Sequence, residues 1–316
     1  MKKITQVFQI ILMGLLVGSC QYAEELLPLI KKAESHFSDK EGEMDWKDFK
    51  PNYGAFLTGR EEVPEVDAPG SGTAKFEVSM DGSAIHYEIK VANTKEIRVG
   101  HIHLAPFGQN GGVVVTLLQF SEPTGLENGL IAQGTITEAD LSGQLEGESL
   151  STLVSAMDNG NAYVNIHTVS FPGGEIRGQI SMIQEDGKFK TELSGDEEVP
   201  PRETDACGDA KVKFNAKNTV MNFKVTVEKL ENVRFAHIHL AKMGANGPVV
   251  VDLRLDKVEG PVNGLYAEGS ITSEDLKGLL LGGDLEMLRE AIRTGNAYVN
   301  VHTDKYPPGE IRGQLK

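Results

Sequence analysis

Six of the eight histidines fall into two sets with the same internal order. The first set is His101, His103 and His167, and the second is His237, His239 and His302. Residues i and i+2 of a β-strand face the same side, so each His-x-His pair presents two imidazole rings together. A third histidine on an adjacent strand would complete a three-imidazole site, the donor set of a catalytic zinc centre and one that equally suits copper.

The two sets allow two interpretations. In the first, each set holds one metal ion, with a mononuclear copper as the first expectation and zinc as the second. In the second, the rings form a structural cluster that hydrogen-bonds to backbone carbonyls or caps a strand end, with Asn165 and Thr168 helping. The sequence leaves both interpretations open.

Four charged residues recur near the histidines, also at i, i+2 spacing. Glu175 and Arg177 lie in the first half, and Glu310 and Arg312 take the same places in the second. They are candidates to hydrogen-bond to a metal-binding histidine and so fix its orientation, as the residues around metal ligands often do. The alternative is a structural ion pair beside the cluster.

The rest of the sequence offers little that favours catalysis. It contains no Gly-rich phosphate loop, no nucleophile elbow and no Ser, His and Asp spacing that suggests a triad. The formal net charge of −15 excludes generic nucleic-acid binding, which needs a basic face. A binding protein is therefore expected rather than an enzyme.

The histidine sets belong to a longer internal repeat, which sets the domain organisation. Each motif of the first half returns about 136 residues later: 59–64 at 195–200, 101–105 at 237–241, 160–168 at 295–303 and 174–179 at 309–314. A period of this length predicts two tandem globular domains, at 54–184 and 187–316. Alternating polar and apolar residues within each copy predict strands, and one short helix follows. The fold class is mostly β: two tandem antiparallel β-sandwich domains after a short, partly helical tether.

The N-terminal residues have the pattern of a targeting segment. Lys2 and Lys3 precede an apolar run, and a Val-Gly-Ser-Cys sequence ends at Cys20. The pattern predicts a signal peptide over 1–19 and resembles the bacterial lipobox, in which the cysteine is lipidated. Residues 20–53 would then be a lipidated tether, and the domains would lie in the cell envelope, anchored to a membrane outside the cytoplasm. Cys207 would be left as the single thiol.

The repeated motifs carry a resemblance to a known family. The Glu-Glu-Val-Pro opening, the His-x-His, the Gly-x-Asn-Gly run and the closing Tyr-Val-Asn-x-His-Thr and Gly-Glu-Ile-Arg-Gly-Gln segments resemble the CHRD domain, named for chordin. This resemblance implies an extracytoplasmic β-sandwich and does not itself assign a function. The histidine order is also similar to that of copper/zinc superoxide dismutase, but a metal-bridging histidine and a stapling cysteine pair are missing from the pattern.

Three functions remain as hypotheses. The first is an anchored binding module for an envelope or extracellular protein or glycan, with a metal site as a compatible feature. The second is a copper- or zinc-dependent redox protein of dismutase-like architecture, and the third is a structural envelope protein.

Overall fold

The computed structural model describes residue 44 and residues 46–183 and 187–316. The fold is mostly β, as predicted, and each sequence repeat forms one antiparallel sandwich. The predicted signal peptide, Cys20 and most of the tether lie outside the described residues. Trp46 and Phe49 lie within the first of two compact units, Met1–Phe49, and their ring centroids are 5.4 Å apart.

The second unit, Lys50–Lys316, contains both sandwiches. The strands of the first are β1 Tyr53–Thr58, β2 Ser71–Val78, β3 Ile85–Lys95, β4 Ile97–Leu104, β5 Gly112–Gln119, β6 Leu126–Ile136, β7 Ala162–Thr168, β8 Ile176–Gln179 and β9 Ser181–Met182. Those of the second are β10 Lys188–Ser194, β11 Cys207–Phe214, β12 Met221–Leu240, β13 Val249–Arg254, β14 Val258–Ile271, β15 Ala297–Thr303 and β16 Ile311–Gln314.

The first sandwich is a continuous sheet folded into two layers. Its strand order is β5-β4-β7-β8-β1-β2-β3-β6, and a single register pair, Thr58 with Arg177, joins β8 to β1. The chain passes from one layer to the other between β3 and β4, at Glu96, whose φ of 55° lies in the left-handed region. Alternate residues of both layers face inward, which explains the period-2 pattern in the sequence.

The second sandwich repeats this arrangement with a single long strand. β12 covers both β3 and β4 and pairs with β11 and β14 in its first half and with β13 and β15 in its second. Because β11 also pairs with β10, and β10 with β16, the strands close into a barrel-like arrangement. Positive φ angles at Lys229 (56°) and Asn232 (51°) bend β12 where it crosses between layers.

Helical segments are short and lie beside the sheets. Helix α1 spans Leu150–Asp158 and α2 spans Leu285–Arg293, where the sequence predicted one helix per copy. The 3-10 turns span Gly59–Glu61, Glu138–Asp140, Gly143–Leu145, Ser273–Asp275 and Gly278–Leu280. Leu150, Leu153 and Met157 of α1 are buried in the first core. No helix among the described residues is long and apolar enough to cross a membrane.

The two sandwiches pack against each other through a mixed apolar and charged joint. Phe56 and Ala92 of the first sandwich belong to the buried apolar cluster of the second. Lys75 on β2 forms a buried ion pair with Glu290 on α2, and Arg293 pairs with the same carboxylate while donating to the Gly54 carbonyl oxygen at 2.9 Å. An added Cβ at Gly54 would lie 2.4 Å from Glu290 Oε1, so the absence of a side chain there makes room for the carboxylate.

Candidate metal centre

The first three histidines meet on the outer face of one sheet layer. His101 and His103 lie on β4 and His167 on β7, two strands that pair antiparallel. Ile102 between them is fully buried in the core, so both histidines face away from it. The bulges in the pairing of β4 with β5 and β7 adjust the direction of these side chains.

The rings converge closely enough to share one ion. One donor nitrogen from each of His101, His103 and His167 lies within 4.8 Å of the other two. His101 Nδ1 is 3.2 Å from His167 Nε2. Ligand nitrogens on a tetrahedral zinc, with Zn–N of about 2.0–2.1 Å, are separated by about 3.3 Å. The observed spacing therefore fits a shared metal ion.

Hydrogen bonds fix which nitrogens are free to coordinate. His103 Nδ1 lies 3.0 Å from the Gly111 carbonyl oxygen, and His167 Nδ1 lies 3.0 Å from the Pro172 carbonyl oxygen. A carbonyl only accepts, so each Nδ1 carries the proton and each Nε2 keeps its lone pair. His103 Nε2 is buried and lacks a hydrogen-bond partner among the described residues. Carbonyl bonding, which the structural interpretation required, thus occupies Nδ1 of His103 and of His167 and leaves Nε2 of both rings without a proton.

The second sandwich repeats the cluster. His237 and His239 lie on β12 and His302 on β15, again with one donor nitrogen from each within 4.8 Å of the others. His237 Nδ1 is 3.3 Å from His302 Nε2. His239 Nδ1 donates to the Gly247 carbonyl oxygen at 2.9 Å, and its Nε2 is buried without a partner in the described chain. The same atoms are free in both copies.

The surroundings keep these imidazoles neutral. Burial, then repulsion from His167 and His103, lowers the pKa of His101 to about 4. Burial, then repulsion from neighbouring histidines, likewise lowers the pKa of His237 to about 4. The pKa of His239 falls to about 4, chiefly because of its burial. Neutral imidazole is the form that binds metal, so the protons of solvent at pH 7 compete little.

A glycine that was not singled out as a site residue orders each cluster. The Gly111 carbonyl oxygen accepts from His103, and the Gly111 N–H donates to the Tyr163 hydroxyl at 3.1 Å. A Cβ at Gly111 would lie 1.7 Å from the Leu104 carbonyl oxygen, so only glycine fits. The recurring Gly-x-Asn-Gly motif was the signal for this role. Its second glycine closes the loop over the histidine.

Tyr163 and Tyr298 are further residues that sequence reasoning missed. The Tyr163 ring stacks on His103 with centroids 4.9 Å apart and an interplanar angle of 10°. The Arg177 guanidinium lies 3.5 Å from the centroid of the same tyrosine. Tyr298 stands between His239 and Arg312 in the same way. Each arginine thus supports a histidine through a tyrosine.

The four charged candidates therefore divide by role. Arg177 also donates to Asn110 Oδ1 at 3.0 Å and to the Gln109 carbonyl oxygen at 2.7 Å, and so anchors the loop that carries Gly111. Glu175 accepts from the Thr168 hydroxyl at 2.7 Å. Glu310 and Arg312 repeat these bonds with Thr303 and Asn246. In the part of the chain that the structure describes, no ion pair joins either glutamate to its arginine.

A buried carboxyl group in each sandwich contacts the asparagine two residues before the last histidine of the cluster. Glu62, 6% exposed, accepts from the Asn165 amide at 3.4 Å, and its other oxygen has no partner within the described residues. Burial raises its pKa to about 7, and Arg177 opposes that shift. Glu198 occupies the same place in the second sandwich, and burial raises its pKa to about 7 as well.

The two clusters differ at one position. In the second sandwich, Asp252 lies opposite His237, with its Oδ1 3.5 Å from His237 Nε2. In the first sandwich, Thr116 lies opposite His101. Asp252 also forms an ion pair with Lys277. The carboxylate favours the tautomer of His237 that carries its proton on Nε2, which leaves Nδ1 facing His302.

The fold and site define a double β-sandwich protein with one three-histidine cluster per domain, half-buried in the first and buried in the second. The sequence profile of the CHRD domain matches residues 53–180 and 189–315. The chain belongs to the CHRD domain family, as its motifs predicted, and membership favours a binding module.

Two curated proteins, both chordins from animals, are similar to this chain. The chain is 30% identical over 167 residues to chordin of Xenopus laevis and 29% identical over 164 residues to chordin of Danio rerio. Each match covers 48% of this chain and 16% of the relative. The similarity thus extends over a small part of each chordin.

Proposed function

We propose that this chain is an envelope-anchored binding module in which each CHRD domain holds one transition-metal ion on three histidines. The observation that carries the proposal is the convergence of the same three donor nitrogens in both copies. In each copy one of those nitrogens is buried and unpartnered among the described residues. A buried lone pair without a partner costs free energy unless something binds it, and a metal ion would do so.

The donor set determines which ions fit. Three neutral imidazoles suit copper and zinc, whereas calcium and magnesium require oxygen ligands. The backbone carbonyls of Gly111 and Pro172 orient two of the rings from outside, as the outer partners of metal-bound histidines do. Such an ion would bind without His103 or His167 having to change its tautomer.

The anchored position is the second part of the proposal. The lipobox-like sequence ending at Cys20 would attach acyl chains there, and residues 20–53 would hold the domains away from the membrane. The module would then present both domains to a protein or glycan of the envelope or the surroundings. Recovery of the protein in a membrane fraction, lost on Cys20→Ser substitution, is the expected result. Equal release of both forms would contradict the anchor.

Elemental analysis tests the metal sites. The purified, tag-free protein is loaded with copper or zinc, passed through a desalting column and analysed for bound metal. We expect two ions per chain, and one per chain in His101→Ala and in His237→Ala. His86→Ala is the matched control because His86 lies outside both clusters, and it should retain two ions. Absence of bound copper and zinc from the unaltered protein would overturn the proposal.

A redox activity is the alternative for the same clusters. Three imidazoles on a β-sandwich leave a coordination position that a small molecule can take. Each cluster among the described residues holds three histidines and a single shared space, so it would hold one ion rather than a copper–zinc pair. Superoxide consumption by the copper-loaded protein, absent from the zinc-loaded form, would favour this alternative.

A further inference from the structure

We infer that the open sheet face of the second sandwich is a binding groove for a polyanionic polysaccharide, with sulfate, phosphate or carboxylate groups as the recognised chemistry. The groove has a volume of about 550 Å³. Six lysines line it: Lys188, Lys190, Lys211, Lys213, Lys224 and Lys316. This cluster is distinct from the histidines and stands independently of the metal proposal.

The strand register places the lysines side by side. Lys190 on β10 lies directly opposite Lys211 on β11, and Lys211 lies opposite Lys224 on β12. Lys188 lies opposite Lys213 in the neighbouring rung. Like charges directly opposite one another destabilise a sheet, so this ladder opposes the stability of the fold.

Protection of a sheet edge does not explain the ladder. Lysines commonly guard exposed edge strands against pairing with another chain. β11, however, is hydrogen-bonded on both sides, to β10 and to β12. Within residues 46–183 and 187–316, no carboxylate forms an ion pair with Lys190, Lys211 or Lys224. The next rung, Glu192 opposite Asp209, is acidic and marks the end of the positive groove.

The first sandwich shows that the fold does not need these lysines. Its equivalent positions are Asn52, Gly54, Lys75, Glu77, Glu88 and Ser181. Only Lys75 is shared, so the six positions carry a net charge of −1 in the first copy and +6 in the second. The first copy uses this face to receive α2, whereas the second presents it to solvent.

The chemistry of the groove favours a polysaccharide over a nucleic acid. Phe189 and Phe223, the aromatic residues of the groove, are only 5% and 8% exposed, so neither offers a platform for stacked bases. No arginine lines the groove to grip a phosphate with two parallel hydrogen bonds. Lysines act as point charges and suit repeated anionic groups along a flexible chain.

The test measures binding of dextran sulfate to the full chain, with neutral dextran as the polymer control and polyuridylate as the nucleic-acid control. The groove variant is Lys190→Gln/Lys211→Gln/Lys224→Gln. The matched variant is Lys95→Gln/Lys229→Gln/Lys305→Gln, whose lysines are exposed outside the groove and whose total charge is the same. Both variants are titrated at several salt concentrations.

We expect the groove variant to bind dextran sulfate at least tenfold more weakly and the matched variant to bind within twofold of the unaltered protein. The slope of log K against log salt should become shallower by about two to three in the groove variant only. Its melting temperature should not fall, because two directly opposed like-charge contacts, Lys190 with Lys211 and Lys211 with Lys224, are removed. Equal losses in both variants, no binding of dextran sulfate, or tighter binding of polyuridylate would overturn the inference.

Discussion

At the scale of single residues, the two copies of the repeat can be compared position by position. His237 faces Asp252 across the strand pair, whereas His101 faces Thr116. A carboxylate that accepts a hydrogen bond from the N–H of a metal-bound imidazole raises the basicity of that ring and typically improves affinity 10- to 100-fold. Lys277 offsets part of this effect, because it pairs with the same carboxylate.

We therefore expect the second site to bind zinc more tightly than the first. In a His101→Ala background, which leaves only the second site, Asp252→Thr should weaken zinc binding about tenfold. In a His237→Ala background, Thr116→Asp should strengthen the first site. Competition with a chromophoric chelator measures both, and Lys277→Gln should not weaken the second site. Identical affinities in all backgrounds would exclude this role of Asp252.

The buried carboxyl of Glu62 leads to a prediction about pH. Its pKa in the folded protein is about 7, above the ordinary 4.5, because burial disfavours the charged form. A raised pKa means that its contribution to stability is fully present below pH 4.5 and is lost as the pH rises through 7. The free energy of unfolding of Glu62→Gln, relative to the unaltered protein, should therefore rise by about 3 kcal/mol between pH 4.5 and pH 8.

Urea unfolding at several pH values provides the measurement for Glu62→Gln, since the comparison with the unaltered protein cancels the titration of the histidines. Glu198→Gln should show the same trend, because burial also raises the pKa of Glu198 to about 7. A difference that stays constant with pH would show that Glu62 ionises normally in the folded protein.

At the scale of elements, the loop after β4 determines whether the histidines can assemble. Gly111 links this loop to His103 and Tyr163, and a Cβ there would overlap the Leu104 carbonyl oxygen. Arg177 donates a hydrogen bond to the Gln109 carbonyl oxygen and so holds the part of the loop that precedes Gly111. The loop is therefore as much a part of the candidate site as the strands that carry the rings.

Gly111→Ala should destabilise the first sandwich by about 2 kcal/mol or more and abolish metal retention in that domain alone. Gly125→Ala is the matched control, because a Cβ there meets no atom within 4 Å. Thermal unfolding and elemental analysis of both variants check the expectation. Metal retained at two ions per chain in Gly111→Ala would show that the loop does not order His103.

The strands and the His-x-His pairs could be predicted from the sequence, because both depend on the alternation of side chains between the two faces of a strand. The family followed from motifs that recur in order. The contacts of Gly111 and Tyr163 could not be predicted from the sequence, because they depend on how a loop closes over a neighbouring strand. The Gly-x-Asn-Gly recurrence showed that the loop mattered, but it did not show which atom met the imidazole.

At the scale of the whole molecule, the joint between the sandwiches was not predicted. Its residues differ between the copies: Gly54 corresponds to Lys190, Glu290 to Ser155 and Arg293 to Asp158. A sequence read as two equivalent domains gives no reason for such differences, since each is an ordinary surface substitution by itself. Their common cause is visible only when the faces are in contact.

Lys75→Met should lower the free energy of unfolding by about 2 kcal/mol or more, because Glu290 would keep only Arg293 as a partner in a buried setting. Lys211→Met is the matched control, since the equivalent lysine is exposed and should change stability by less than about 0.5 kcal/mol. Urea denaturation of both variants measures the difference. Equal effects would mean that the buried pair contributes nothing to the joint.

The joint unites two different surfaces, a sheet face of one copy and a helix of the other, so identical copies joined this way would keep adding into a closed ring or an open array. Lys190 now fills the place that Gly54 leaves open for a neighbouring helix, and Asp158 stands where Arg293 would reach across. The sheet face of the second copy and the helix of the first copy therefore lack the residues that would repeat this joint.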